Sequence, residues 1–170
     1  MKTKKAQVWS LDLMSAMALF LVGIVVFFTY SINQPGEAED NLELLFYEGK
    51  VIASSLLSPG YPTQWDSDNV ATIGLTDDGR INNTKLKELY DMTSITEDND
   101  YNLSKNILNT RFDYYIFFET NMTSIAPDLD GIGKLGTTRD NVNAKNLIKT
   151  TRFTVYQNKT TPLYLYTWEE

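Results

Sequence analysis

The 170-residue chain contains no cysteine and no histidine. Without cysteine no disulfide can staple a fold, so an ordered domain must hold itself together by packing. The two absences together exclude a Ser-His-Asp triad, a cysteine nucleophile and a zinc site of the usual ligand types. Carboxylates, lysines and tyrosines remain, but nothing in their spacing arranges them into a catalytic group. No enzymatic activity and no cofactor is expected, histidine being the commonest general base. Internal repeats and low-complexity linkers are also missing.

What is present is uneven along the chain. Lys2, Lys4 and Lys5 come first, then a polar stretch from Gln7 to Ser10 and a single acid, Asp12. Leu13 to Ile32 then run for 20 residues without a charge. As a helix at about 1.5 Å per residue, that run is roughly 30 Å long, the thickness of a bilayer's hydrocarbon core. The lysines favour a cytoplasmic N-terminus, with everything after Asn33 outside the cell. A cleaved secretory signal has a shorter apolar region, and Tyr30-Ser31-Ile32-Asn33 is a poor cleavage site, so a retained single-pass anchor is expected. The domains expected are therefore 1–33, a basic tip and transmembrane helix, and 34–170, an extracytoplasmic head.

Three lysines and Asp12 give the first 33 residues a charge of +2, so the remaining 137 carry −9 of the net −7. Such a head is not a partner for nucleic acid or an anionic membrane surface. It is large enough for one modest core.

Asn33-Gln34-Pro35-Gly36 punctuates the chain, and Pro35 bends or breaks a helix there. From 37 to 57 the pattern is again helical. Leu42, Leu45, Phe46, Ile52, Ala53, Leu56 and Leu57 recur at three- and four-residue spacing, and Ser58-Pro59-Gly60 stops them. Residues 8–57 thus read as one long helix bent at Pro35 or as two helices in series. Val70–Leu75 reads as a short strand and Asp77-Asp78-Gly79-Arg80 as a turn. Lys85–Met92 reads as a helix capped by Asn83 or Thr84, and Leu103–Leu108 as another.

The last third is β in character. In Arg111–Glu119, Phe112, Tyr114, Ile116 and Phe118 alternate with Asp113, Tyr115, Phe117 and Glu119. After a Gly-, Asp- and Asn-rich loop at 128–143, Ile148–Gln157 and Pro162–Trp168 read as a hairpin turning at Asn158-Lys159-Thr160. Its apolar face should pack on the amphipathic helix. The fold expected is α+β: a long N-terminal transmembrane and amphipathic helix packed on a C-terminal antiparallel β-sheet.

Four Asn-x-Ser/Thr sequons, at Asn82, Asn102, Asn121 and Asn158, are candidate N-glycosylation sites. Asp128-Leu129-Asp130-Gly131 and Glu97-Asp98-Asn99-Asp100 offer oxygens to Ca²⁺, but neither has the full loop spacing, and solvated loops are expected. The aromatics of the last strands read as sheet core. The alternative is an exposed face of Tyr164, Tyr166 and Trp168 that binds a neighbour.

Lys5-Ala6-Gln7-Val8-Trp9-Ser10-Leu11-Asp12 resembles the class III, prepilin-type signal sequence of archaeal type IV pilin-like proteins. The family's usual Gln-x-Ser-x-Glu is altered here: Gln7 and Ser10 stand one residue further apart, and the acid is Asp12. The resemblance implies a prepilin-type peptidase that cuts on the cytoplasmic side, after Lys5 or after Ala6, and leaves the apolar helix on the mature subunit. It implies that Asp12 meets the freed N-terminal amine of a neighbouring subunit. The partners implied are the lipid bilayer, the peptidase and other pilin-like subunits. The expected function is a structural subunit or minor component of a surface filament or secretion assembly. The alternative is an anchored ectodomain that never polymerises and acts as an adhesin or accessory binding module.

Overall fold

The computed structural model describes residues 4–33, 37–94 and 98–169, with side chains described in 11–32, 41–94 and 100–169. The bend expected at Pro35 and the acid Glu97 lie outside the described residues. The chain separates into two compact units, Met1–Asn41 and Leu42–Glu170.

The first unit is dominated by helix α1, Lys4–Asn33. Its stretch Leu11–Ile32 is long and apolar enough to cross a membrane, and no part of it is buried. Two of its hydroxyls bond to their own helix: Ser15 Oγ donates to the Asp12 carbonyl at 3.0 Å and Thr29 Oγ1 to the Val25 carbonyl at 2.7 Å. Hydroxyls satisfied in this way carry no open donor into a lipid environment.

The second unit is α+β. Helix α2, Glu37–Leu56, enters it at Leu42 and is followed by strands β1, Thr76–Asp77, and β2, Arg80–Ile81. Helices α3, Asn83–Ser94, and α4, Asp98–Ile107, come next. Strands β3, Asp113–Phe118, β4, Ile132–Gly133, β5, Asn146–Tyr156, and β6, Lys159–Glu169, complete the chain. They form one six-stranded sheet in the order β1-β2-β5-β6-β3-β4. The expectation of an antiparallel sheet needs correcting, because β2 lies parallel to β5 through Arg80 and Val155. A hairpin fed from the α2–α3 connection reaches the free edge of β5, and its second strand arrives in the same direction. The sheet is therefore mixed.

One sheet face and the inner face of α2 make the main core. Ile52, Ala53 and Leu56 pack with Tyr114, Ile116, Phe118, Leu163 and Leu165. Leu86 and Leu89 of α3 close the same cluster. Fully burying a side chain such as Leu56 stabilises by about 1.5–3 kcal/mol, and this seam contains many of them. The other face of β3 is also covered. Tyr115 and Phe117 pack with Trp168, Val142 and Ala144. The alternation read from 111–119 is therefore real, but both of its faces are buried.

Several boundaries differ from the sequence reading, each for a local reason. Residues 70–75 are not a strand beyond a single bridge between Tyr61 and Thr72. This segment and the residue after it instead serve the end of α2. Leu75 N donates to Leu56 O at 2.8 Å, Ser55 Oγ to Ile73 O at 2.8 Å and Thr76 Oγ1 to Leu57 O at 2.8 Å. A helix end leaves carbonyls without intrahelical partners, and Leu75 and Thr76 satisfy two of them, while Ser55 returns a donor to Ile73. The cap of α3 is Asn82, whose Oδ1 accepts from Thr84 N at 2.7 Å, so neither Asn83 nor Thr84 fills that place. Helix α4 starts at Asp98, earlier than Leu103. The β5–β6 turn is only Gln157-Asn158, with φ of 50° and 61°. A two-residue turn with both φ positive matches the twist of its strands, and asparagine tolerates that conformation. Lys159 is thus free to pair with Tyr156. The Asp78-Gly79 turn, with φ of 48° and 76°, is of the same kind and lies where the sequence places it.

Candidate functional site

The processing candidates Lys5, Ala6 and Gln7 fall in the first turns of α1, and their side chains lie outside the described residues. Asp12 is exposed, in the first turn of the apolar stretch. Its polar neighbour one turn on, Ser15, donates to the Asp12 backbone carbonyl and not to the carboxylate. The four sequons are not brought together. Asn158 is exposed at the β5–β6 turn, where its side-chain oxygen accepts from Arg80 at 3.3 Å. Asn121 is exposed in the loop after β3, and its oxygen accepts from Arg139 at 2.9 Å. Asn102 is exposed on α4, but Ser104 of its sequon is buried and bonded to the Tyr114 hydroxyl at 2.7 Å. Asn82 is half-buried and caps α3, while its amide donates to Asp77.

Three charged clusters were not foreseen. Asp113, at the start of β3, receives Lys105 Nζ at 2.9 Å on one oxygen and Lys134 Nζ at 2.7 Å on the other. Tyr101 donates to the same carboxylate at 3.1 Å and accepts Tyr114 N at 3.0 Å. Burial disfavours the charged form of Asp113, but the hydrogen bonds from Lys134 and Lys105 outweigh it and hold the carboxyl below its ordinary value. Burial raises the pKa of the Tyr101 and Tyr114 hydroxyls, so both stay protonated. The cluster can fix the start of β3 against α4. A protonated tyrosine and two lysines bound to one carboxylate supply no free base.

Arg139 is the second centre. Its guanidinium pairs with Asp130, donates to Glu119 O at 3.2 Å and to Asn121, and lies 5.5 Å from the Phe117 ring centre. Asp130 also accepts Arg139 N at 2.8 Å and the Tyr115 hydroxyl at 3.2 Å. The Asp128–Gly131 run, expected to be a solvated loop, thus places Asp130 under an arginine. Among the described residues no three acidic side chains converge to hold a metal ion. The third centre is Lys85, which is buried. It pairs with Asp77 and donates to Pro59 O at 2.9 Å and Thr76 O at 3.2 Å. Hydrogen bonds from Lys85, then Asn82, keep the Asp77 carboxyl below its ordinary value.

Two surface features among the described residues bear on function. The outer sheet face carries Phe117, Tyr164 and Tyr166 with Lys149 above them, its Nζ 4.0 Å from the Tyr164 ring centre. Trp168 of that face is buried and the tyrosines are half-buried, with Val142 and Ala144 closing that end, which agrees with the sheet-core reading of 164, 166 and 168 and not with the alternative of an exposed face. On α2, Leu44, Tyr47 and Val51 are exposed and line a groove of about 280 Å³ with Glu48, Leu108 and Asn109. The signal for this groove was in the sequence, since α2 carries more large apolar residues than one buried stripe needs.

No family model matches the chain, and neither the curated proteins nor the solved structures contain a match.

Proposed function

We propose that this chain is a membrane-anchored, pilin-like structural subunit, or a minor component, of a surface filament or secretion assembly. The observation that carries the reading is the pairing of two helices in series. An apolar helix of membrane-spanning length with nothing buried, Leu11–Ile32, is followed by one whose inner face is built into a sheet. The first is suited to lipid and to other such helices, and the second to holding a folded head. Among the described residues, the charged and tyrosine clusters serve as ties between elements, which favours a structural role over a catalytic one.

In this reading the lysines hold the N-terminus in the cytoplasm, and the peptidase trims the tip after Lys5 or Ala6. Asp12 then enters the membrane with the mature helix. An isolated carboxylate at mid-bilayer costs a few kcal/mol, so it is placed at the interface or given a partner. Ser15 does not serve the carboxylate, and in this reading the partner is the amine freed on a neighbouring subunit.

The reading is tested in two steps. Mass spectrometry of the mature protein should show a start at Ala6 or Gln7 with the apolar helix retained. An intact N-terminus points to the plain anchor of an adhesin or binding module, and a start beyond Asn33 to a secreted protein. Asp12→Ala should then abolish recovery of co-assembled copies from membranes while insertion and head folding persist. Equal recovery with wild type would refute the subunit role of Asp12.

A further inference from the structure

Two unpartnered apolar surfaces lie on opposite sides of the head. On one side, β5 and β6 present Phe153, 72% exposed, beside the Lys149–Tyr164 pair. On the other, the outer side of α2 presents the Leu44, Tyr47 and Val51 groove. The sheet lies between them. Its inner face packs on α2 through Leu163 and Leu165, and Phe153, Lys149 and Tyr164 stand on its outer face. Neither surface can cover the other within one chain.

We infer that the two surfaces are the halves of one head-to-tail contact between copies of this chain, with Phe153 of one copy seated in the α2 groove of the next. The inference rests on the reading of the chain as an assembling subunit. Three observations select a second copy as the occupant. The groove's volume of about 280 Å³ accommodates an aromatic side chain, with Leu44, Val51 and Leu108 to meet its ring and Glu48 and Asn109 beside them. The charges complement each other: Lys149 lies on the Phe153 side, while exposed Glu43 continues the ridge of Tyr47 and Val51 and Glu48 lines the groove. Heads that each carry −9 repel except where a cation of one meets an acid of the other. The spacing also agrees. Four strand residues place Lys149 about 13 Å from Phe153, and eight helix residues place Glu43 about 12 Å from Val51. With Phe153 near Val51, Lys149 comes to Glu43.

A contact between unlike faces on opposite sides does not close on itself after two copies, and so it builds a row. The absence of cysteine makes the test direct, because every introduced thiol is the only one in its chain. Full-length Thr151→Cys and Tyr47→Cys proteins, which keep Phe153 and place a thiol midway along each half of the contact, are differently tagged and expressed separately and together, and the membranes are treated with a mild oxidant. The mixed sample should give a disulfide dimer carrying both tags, and each variant alone should stay monomeric. The double variant should give a ladder beyond the dimer. Lys149→Glu should cut mixed cross-linking about tenfold or more, and Glu43→Lys on the partner copy should restore it. Dimers from a single variant alone, or no mixed product, would overturn the contact. Pull-down of differently tagged wild-type copies separates the two failures. Copies that co-purify without the mixed cross-link refute this contact and leave the subunit reading standing. Copies that neither co-purify nor cross-link refute both.

Discussion

Gly49 tests whether α2 lies on the sheet as closely as the structure has it. It is buried in the middle of α2, where glycine is a poor helix former. On propensity alone, Gly49→Ala should stabilise by about 1 kcal/mol. The packing says otherwise. A Cβ at this position would lie 2.9 Å from Thr167 Oγ1 and 3.3 Å from Thr150 Oγ1. Thr167 is fully buried on β6 and β-branched, so its χ1 has little freedom to give way. Forcing an extra methyl into such a seam costs about 1–3 kcal/mol. The net expectation is a loss of about 1 kcal/mol, or roughly 3–5 °C in Tm for a head of this size. Gly49→Val forgoes most of the propensity gain and adds two more carbons, so it should cost more than alanine does. The compensating change is Thr167→Ala, which removes the clashing atom, a buried hydroxyl that has no hydrogen-bond partner among the described residues. In a double-mutant cycle the Gly49→Ala and Thr167→Ala changes should couple favourably by about 1 kcal/mol. Urea and thermal unfolding of residues 37–170, single and double variants side by side, read this directly. If Gly49→Ala raises Tm by the full propensity amount and shows no coupling to Thr167, α2 does not approach β6 at this point, and the close seam argued above is wrong.

The other expectations concern the same head. Residues 37–170 should fold without metal or oxidant, since the unit has no cysteine and an apolar core; a circular dichroism melt with and without chelator checks it. Leu56→Ala should cost about 2–5 kcal/mol by leaving a cavity, and Leu45→Asp or Leu56→Asp should prevent folding by burying a charge in the seam; a cooperative, unshifted melt in both Asp variants would refute the packing. Asp113→Asn leaves Lys105 and Lys134 facing each other, and should cost less than the roughly 3–5 kcal/mol of a fully buried pair because both lysines reach solvent. The Asp113 carboxyl is held below its ordinary value, so its contribution is full above about pH 4 and is lost as pH falls through the folded value. The Asn variant should therefore lose less stability than wild type between pH 5 and about pH 2.

The parts of this molecule legible in its sequence are those written in periodicity. The uncharged run to Ile32, the three- and four-residue spacing of Leu45, Ile52 and Leu56, and the alternation around Ile116 each repeat a single physical requirement several times. Repetition makes such signals robust. The segment 70–75 shows where this fails. Its apolar alternation is genuine, since Ile73 and Leu75 are fully buried, but Leu75 N is spent on the Leu56 carbonyl and Ile73 O accepts from the Ser55 hydroxyl, both at the end of α2. Pattern reports which side chains go inside. It does not report where their amides find partners.

The polar ties were illegible for a related reason. Lys85 lies inside an amphipathic helix, where a lysine ordinarily faces solvent, and only the arrival of Pro59, Thr76 and Asp77 from another part of the chain makes its burial affordable. Arg139 joins residues 119, 121 and 130, three positions with no shared spacing. Asp12 is the opposite case. It is conspicuous in the sequence because it stands alone, and the helix around it offers Ser15 to its backbone rather than its carboxylate. If α1 crosses a membrane, a charge that Ser15 does not serve has two uses: it marks the edge of the membrane or it waits for a second chain. A vesicle made from this protein alone distinguishes them. At the interface, Asp12→Ala changes neither insertion nor the distance between copies, because water serves the carboxylate. In the second use the same change separates the copies, and spin labels or fluorophores on α1 report the separation even when no filament forms.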